Sequence, residues 1–169
     1  IDYSLGITKA YTTRVGEGPF PTELFDSIGK KIAKKGGEVG ATTGRPRRCG
    51  WLDAVLLSHA VRINGINGLC ITKIDILDGF DEVKICTKYN SKNDLDDLLE
   101  AMDIDDVEAI YETFPGWKET TAGCKRYEDL PQNAKNFISI IEEICGVPVI
   151  MISTGPERGD TIIRDEIIK

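Results

Sequence analysis

Three guanidiniums fall within four positions at Arg45, Arg47 and Arg48, inside the stretch Gly40-Ala41-Thr42-Thr43-Gly44-Arg45-Pro46-Arg47-Arg48. Packed this closely they repel one another unless anions sit among them, and each offers a planar donor fork matched to carboxylate or phosphate. Thr42 and Thr43 add hydroxyl donors, while Gly40 and Gly44 let backbone N–H groups come close to a ligand. Pro46 stiffens the loop. Alternation across it aims Arg45 and Arg47 at one target and Arg48 elsewhere, and a helix expected to begin near Gly50 would add the positive end of its dipole. Two readings stay open on these residues alone: an anion clamp, or a basic surface turn paired with the protein's own acids.

A second group is Thr72-Lys73-Ile74-Asp75. At a strand end, one carboxylate can accept from the adjacent N1–H and N2–H donors of guanine; adenine lacks that pair, so Asp75 could tell the two bases apart. Lys73 could lay its aliphatic stem along the base plane. The group resembles the Asn/Thr-Lys-x-Asp guanine motif of GTP-binding proteins, though four residues also match by chance. A third group is Ile152-Ser153-Thr154-Gly155-Pro156, whose amides and Ser153 hydroxyl could receive the carbonyl edge of the same base, or simply turn the chain after a strand. No Gly-x-x-x-x-Gly-Lys-Ser/Thr loop occurs. His59, the single histidine, has no Cys or Glu at ligand spacing and reads as a core or interface residue, as Trp51 and Trp117 read as anchors.

The elements that must position these groups alternate between strand and helix. Leu5 to Val15 suits a strand or extended segment. A helix capped by Thr22 would carry Leu24, Phe25, Ile28 and Ile32 up to Gly36-Gly37, with Lys34 and Lys35 facing its negative end. Glu38 to Cys49 reads as loop, and Trp51 to Asn64 as a buried helix bearing Leu52, Val55, Leu56, His59 and Ile63. Gly68 to Leu77, Glu82 to Tyr89, Val107 to Thr113 and Val147 to Ser153 read as strands, with Thr161 to Arg164 a candidate last one. Pro131 opens a helix striped by Ala134, Phe137, Ile138, Ile141 and Ile144 and closed by Gly146. This alternation argues for an α/β layered sheet with flanking helices, forming one unit over residues 1–169, with ligands at the loops beyond strand ends.

Composition narrows the classes. The chain has 169 residues and a net charge of −7. Eight acids and no Lys or Arg lie between Asp94 and Glu108; the other 20 acids offset 21 bases, so no global nucleic-acid surface is indicated. Residues 90–106 read as a variable acidic surface excursion. Five scattered cysteines without Cys-x-x-Cys suit reduced, buried thiols in a cytoplasmic protein, with no metal site. No apolar run approaches the roughly 20 residues that span a bilayer.

Taken together, the chain resembles adenylosuccinate synthetase. The matching stretches, in the family's order, are Lys9 to Leu24, Gly40 to Asp53, Thr72 to Gly79, Tyr111 to Trp117 and Ile152 to Pro156. The resemblance implies ligation of L-aspartate to IMP with hydrolysis of GTP and a requirement for Mg²⁺. It implies that Lys73, Asp75, Ser153 and Gly155 hold guanine, and that Gly40, Thr42, Thr43, Arg45 and Arg47 hold aspartate. Arg45 would also reach the IMP ribose, Val15 would contact IMP, and a homodimer would complete the IMP site. The family's N-terminal phosphate loop, its acid–base Asp and His and its Mg²⁺ site have no counterpart here. The chain is therefore expected to be a C-terminal portion, carrying no catalytic residue and inactive alone; the alternative is a non-catalytic guanine-nucleotide-binding module. Arg-Pro-Arg-Arg stands where the family commonly has four arginines, which leaves Arg45 and Arg47 in place in a stiffer loop.

Overall fold

The structure is a computed structural model that describes residues 2–40, 44–90 and 107–164. Its elements run β1 (Leu5–Lys9), β2 (Thr12–Arg14), α1 (Ser27–Gly36), β3 (Arg48–Gly50), β4 (Leu52–Asp53), α2 (Ala54–Ile63), β5 (Gly68–Thr72), β6 (Glu82–Asn90), β7 (Glu108–Pro115), α3 (Gln132–Cys145), β8 (Val149–Ser153) and β9 (Thr161–Ile163). Two 3₁₀ turns, Ile74–Leu77 and Tyr127–Asp129, complete them. The α/β layering read from the alternation is present.

Two compact units emerge, one from residues 2–10, 56–83 and 113–164, the other from 11–40, 44–55, 84–90 and 107–112. In the first, a sheet of order β1-β5-β8-β9 pairs β5 in parallel with both β1 and β8, and β9 antiparallel to β8. The registers Lys9↔Thr72 and Ile71↔Ile152 bring the three parallel strands to their carboxyl ends side by side. β5 is buried through Ile71, as an inner parallel strand should be. α3 places Ala134, Phe137, Ile138 and Ile141 in the core, and Gly146 ends it in the left-handed conformation. Pro131 stands just before the first helical residue rather than at it and makes no side-chain capping bond.

The second unit holds β2 antiparallel to β3 and the sheet β4-β6-β7. Asp53 is buried there; its carboxylate accepts from the Tyr89 hydroxyl at 2.6 Å and its N–H donates to Thr12 Oγ1 at 3.0 Å. Burial, with Asp53 close by, pushes the Cys86 thiol up to about 12 and keeps the Tyr89 phenol protonated far above its ordinary range. All five cysteines are free thiols, four of them buried. No described helix is long and apolar enough to cross a membrane.

Several boundaries differ from expectation, each for a local reason. α1 starts at Ser27, not near Thr22, because the Asp26 carboxylate caps it, accepting from the N–H groups of Ile28 and Gly29. Phe25 is thereby left 82% exposed, off the helix stripe. The helix expected from Trp51 begins only at Ala54, since Leu52 and Asp53 pair with Ile85 and Cys86 as a short strand. No helix dipole therefore starts at Gly50, which instead bridges Glu23, and Ile63 is exposed. β5 stops at Thr72, where Lys73 turns into a left-handed conformation. Residues 91–106, including most of the expected acidic excursion, lie outside the described residues.

Gly50 shows how tightly the second unit closes. A Cβ there would lie 2.0 Å from the Thr22 carbonyl oxygen, so no side chain fits without moving backbone. Gly50→Ala is expected to destabilise the fold by about 1–3 kcal/mol, an overpacking cost. Denaturant melts check this; an unchanged midpoint would contradict the close approach.

Candidate functional site

In the first unit the chain leaves β5 through Lys73, whose φ of 61° makes it the one described residue other than glycine with positive φ. A Lys in this region costs of order 1 kcal/mol or more and persists only where the surroundings over-determine it. They do so here: Ile74, Ile76 and Leu77 of the next turn are buried, and that turn carries Asp75 at its start, half-buried. The chain thus swings sharply at the strand's carboxyl end, with Asp75 three residues beyond it.

The neighbouring parallel strand ends the same way. At the end of β8, Ser153 Oγ donates to the Gly155 carbonyl at 2.9 Å, closing a tight turn. Thr154 is fully buried; its N–H donates to the Asp160 carbonyl at 2.7 Å and its hydroxyl to the Cys124 carbonyl at 3.1 Å. Asp160 draws the loop shut, accepting from Lys125 Nζ at 2.8 Å and from the Glu157 N–H at 3.2 Å. Its bond to Lys125, helped by that of the Glu157 amide, holds its carboxyl below its ordinary pKa. The four residues expected to read guanine, Lys73, Asp75, Ser153 and Gly155, therefore all lie at or just beyond the carboxyl ends of two adjacent parallel strands.

Asp78, absent from the expected site, is the hub that fixes this edge. Its two oxygens accept from Trp117 Nε1 at 2.6 Å, Thr121 N at 2.7 Å, Thr121 Oγ1 at 2.8 Å and Thr120 Oγ1 at 3.1 Å. Trp117 and Thr121 are buried, so their donors depend on this carboxylate. The Asp-Gly following the expected guanine group was the available signal.

In the second unit the arginine stretch forms the arm of a hairpin. Arg47 N donates to the Glu38 carbonyl at 2.9 Å, Gly40 N to the Arg45 carbonyl at 2.8 Å, and Val39 bridges Pro46. Gly40 and Arg45 thus face each other across the hairpin; Thr42 and Thr43 lie outside the described residues. Arg47 pairs with the buried Glu38 at 2.9 Å. Arg48 points elsewhere, as alternation predicts: it clasps Glu23 through Nε at 2.9 Å and Nη2 at 2.5 Å and reaches the Gly16 and Gly18 carbonyls. The Glu23 hydrogen bond pushes its pKa further up. Arg14, opposite Arg48 in the ladder, donates to the Pro19 carbonyl, so the two like charges are both spent on the 16–23 loop. Val15 follows β2 and is 73% exposed. The reading of a basic turn paired with the protein's own acids holds for Arg47 and Arg48, which meet Glu38 and Glu23, while Arg45 is exposed.

Half-buried His59 approaches Arg62 at 3.2 Å through Nδ1. Among the described residues no three His, Cys, Asp or Glu side chains gather as a cation would require.

Parallel strands ending abreast, with a carboxylate and a stapled Ser-Thr-Gly turn beyond them, define an α/β protein of the ligand-binding sheet class. A family model described as adenylosuccinate synthetase matches residues 1–162. The adenylosuccinate synthetase of Chromohalobacter salexigens is 56% identical over 165 residues, covering 96% of this chain and 38% of that protein. That of Buchnera aphidicola subsp. Acyrthosiphon pisum is 58% identical over 169 residues, covering 98% and 39%. The solved structure of fully ligated adenylosuccinate synthetase from Plasmodium falciparum superposes with a TM-score of 0.88 at 37% identity, covering 98% of this chain and 40% of that one. The chain belongs to the adenylosuccinate synthetase family, and it spans about two-fifths of the length of these relatives.

Two outcomes follow from the hydrogen bonds at this edge. Asp78→Ala strands buried donors and is expected to cost about 2–4 kcal/mol, with Trp117 emission shifting to the red as water enters; an unshifted spectrum and melt would contradict its hub role. Asp160, with its pKa depressed in the folded state, adds stability that is complete above the ordinary carboxylate pKa of about 3.9 and lost as pH falls through the folded value. Lys125→Met should move the Asp160 carboxyl resonance's midpoint upward in an NMR titration; no movement would contradict the pairing.

Proposed function

We propose that the protein carrying this chain joins L-aspartate to IMP to form adenylosuccinate, with GTP converted to GDP and phosphate, and that this chain supplies its guanine-reading edge and its aspartate clamp. The observation that supports the reading most is the juxtaposition of Lys73-Ile74-Asp75 and Ser153-Thr154-Gly155 at neighbouring strand ends in a chain of this family.

On this reading Asp75 accepts from guanine N1–H and N2–H, the Lys73 stem covers one face of the base, and the turn at Ser153 and Gly155 meets its carbonyl edge. Arg45, Arg47, Thr42, Thr43 and Gly40 hold the carboxylates of aspartate, leaving its amine free to attack once it has given up a proton. Arg45 also reaches the IMP ribose, and Val15 packs on IMP. The γ-phosphoryl of GTP passes to O6 of IMP; the aspartate amine then bonds to C6, and the C6–O6 bond breaks as phosphate departs. Holding three substrates in line removes an entropic barrier on the order of 7 kcal/mol or more. Mg²⁺, which the family implies, would neutralise phosphate charge during transfer, and the described residues supply no set of ligands for it. Its site and the proton-transfer groups belong, on this reading, to the remaining three-fifths of the protein, so the 169-residue chain is a C-terminal portion that does not turn over alone. A cytoplasmic homodimer completing the IMP site is part of the same proposal.

The experiment is steady-state kinetics of the full-length protein. Asp75→Asn is expected to raise KM for GTP at least about tenfold while KM for aspartate stays within about twofold. Equal loss for both substrates, or no adenylosuccinate from the unaltered protein, would overturn the proposal.

A further inference from the structure

Glu38 has a side chain with no solvent exposure. A carboxylate so sequestered is costly unless its oxygens are met by donors. Oε1 accepts from the Tyr11 hydroxyl at 2.5 Å and Oε2 from Arg47 Nη1 at 2.9 Å. The main chain repeats the grip, since Arg47 N donates to the Glu38 carbonyl and the Val39–Pro46 bridge continues the pairing. Space for the Tyr11 hydroxyl exists because residue 36 is glycine: a Cβ there would lie 2.3 Å from that oxygen. Tyr11 is itself 1% exposed, whereas the Arg47 side chain keeps 30% of its surface open. Glu38 thus takes one of the five N–H donors of the guanidinium from the protein side and leaves the others.

We propose that Glu38, oriented by Tyr11, is a positioning residue for amino-acid substrate capture: it fixes the Arg47 fork in advance so that its remaining donors meet a substrate carboxylate in one orientation. This rests on the reading of Arg47 as an aspartate contact. A free arginine gives up rotamer freedom when it grips a ligand; one already anchored gave it up on folding, which lowers the entropic opposition to binding. Glu38 also offsets part of the positive charge of Arg47, so the two effects pull in opposite directions when it is neutralised. Raw attraction would strengthen aspartate binding in Glu38→Gln; loss of orientation would weaken it. Positioning is the claim that the second effect wins.

The test is steady-state kinetics and thermal melting of the full-length protein with Arg47→Gln, Glu38→Gln, Tyr11→Phe and the Glu38→Gln/Arg47→Gln double variant. Arg47→Gln must first raise KM for aspartate by about tenfold or more; if it does not, the aspartate reading of Arg47 fails, and this inference with it. Given that rise, Glu38→Gln is expected to raise KM for aspartate about five- to tenfold with KM for GTP and IMP within about twofold. The double variant should be no more than about twofold worse than Arg47→Gln alone, because the two side chains act as one. Tyr11→Phe, which keeps the buried ion pair, should raise KM for aspartate about two- to threefold and stands in if Glu38→Gln does not fold. An aspartate KM that falls or holds, a parallel rise for all three substrates, or fully additive effects would show that Glu38 is structural only and would overturn the positioning role.

Discussion

Three parallel strands finish side by side, and what the chain can recognise depends on how it turns in the next two or three residues. After β5 the turn is made by Lys73 in a left-handed conformation that its own side chain disfavours. The cost is borne because Ile74, Ile76 and Leu77 anchor the following turn in the core. After β8 the turn is made by a buried threonine and closed by Asp160 with Lys125. One turn is held by apolar burial and the other by hydrogen bonds, and both leave small, directional polar groups at one sheet edge.

Buried and half-buried carboxylates are the second organising device. Asp78 gathers the Trp117–Thr121 segment, Glu38 joins Tyr11 to Arg47, and Asp53 joins Tyr89 to the strand that follows the arginine hairpin. Each accepts from at least one donor that burial would otherwise strand, so each is worth more to the fold than its surface-type residue class suggests.

Much of this was legible beforehand, and the gaps have physical causes. Apolar runs at β5 and β8 and the stripe of α3 reported the core directly, because periodic burial is what the amino-acid pattern encodes. The guanine group and the arginine stretch stood out because their residue types carry chemistry whatever the fold. Helix starts were misread where two caps competed: Thr22 is an acceptable cap, yet it is buried behind Gly50, and Asp26 wins by meeting two amides. Leu52 and Asp53 were drawn into a helix by their neighbours because a two-residue strand has no period to detect. Glu38 and Asp78 were missed for a deeper reason. Which donors an acid meets depends on partners distant in the chain, Tyr11 for one and Trp117 for the other, and a single sequence does not display that pairing.

Base recognition by one carboxylate at the strand end is the centre of the account, and equilibrium binding tests it without the complications of turnover. Titration calorimetry of the full-length protein with GDP, IDP and ADP separates the donors: GDP offers both N1–H and the 2-amino group, IDP only N1–H, and ADP neither in that register. The account predicts that GDP binds about tenfold or more tighter than IDP and that ADP is weaker still, with the order collapsing in Asp75→Asn. GDP and ADP binding within twofold of each other in the unaltered protein would contradict it.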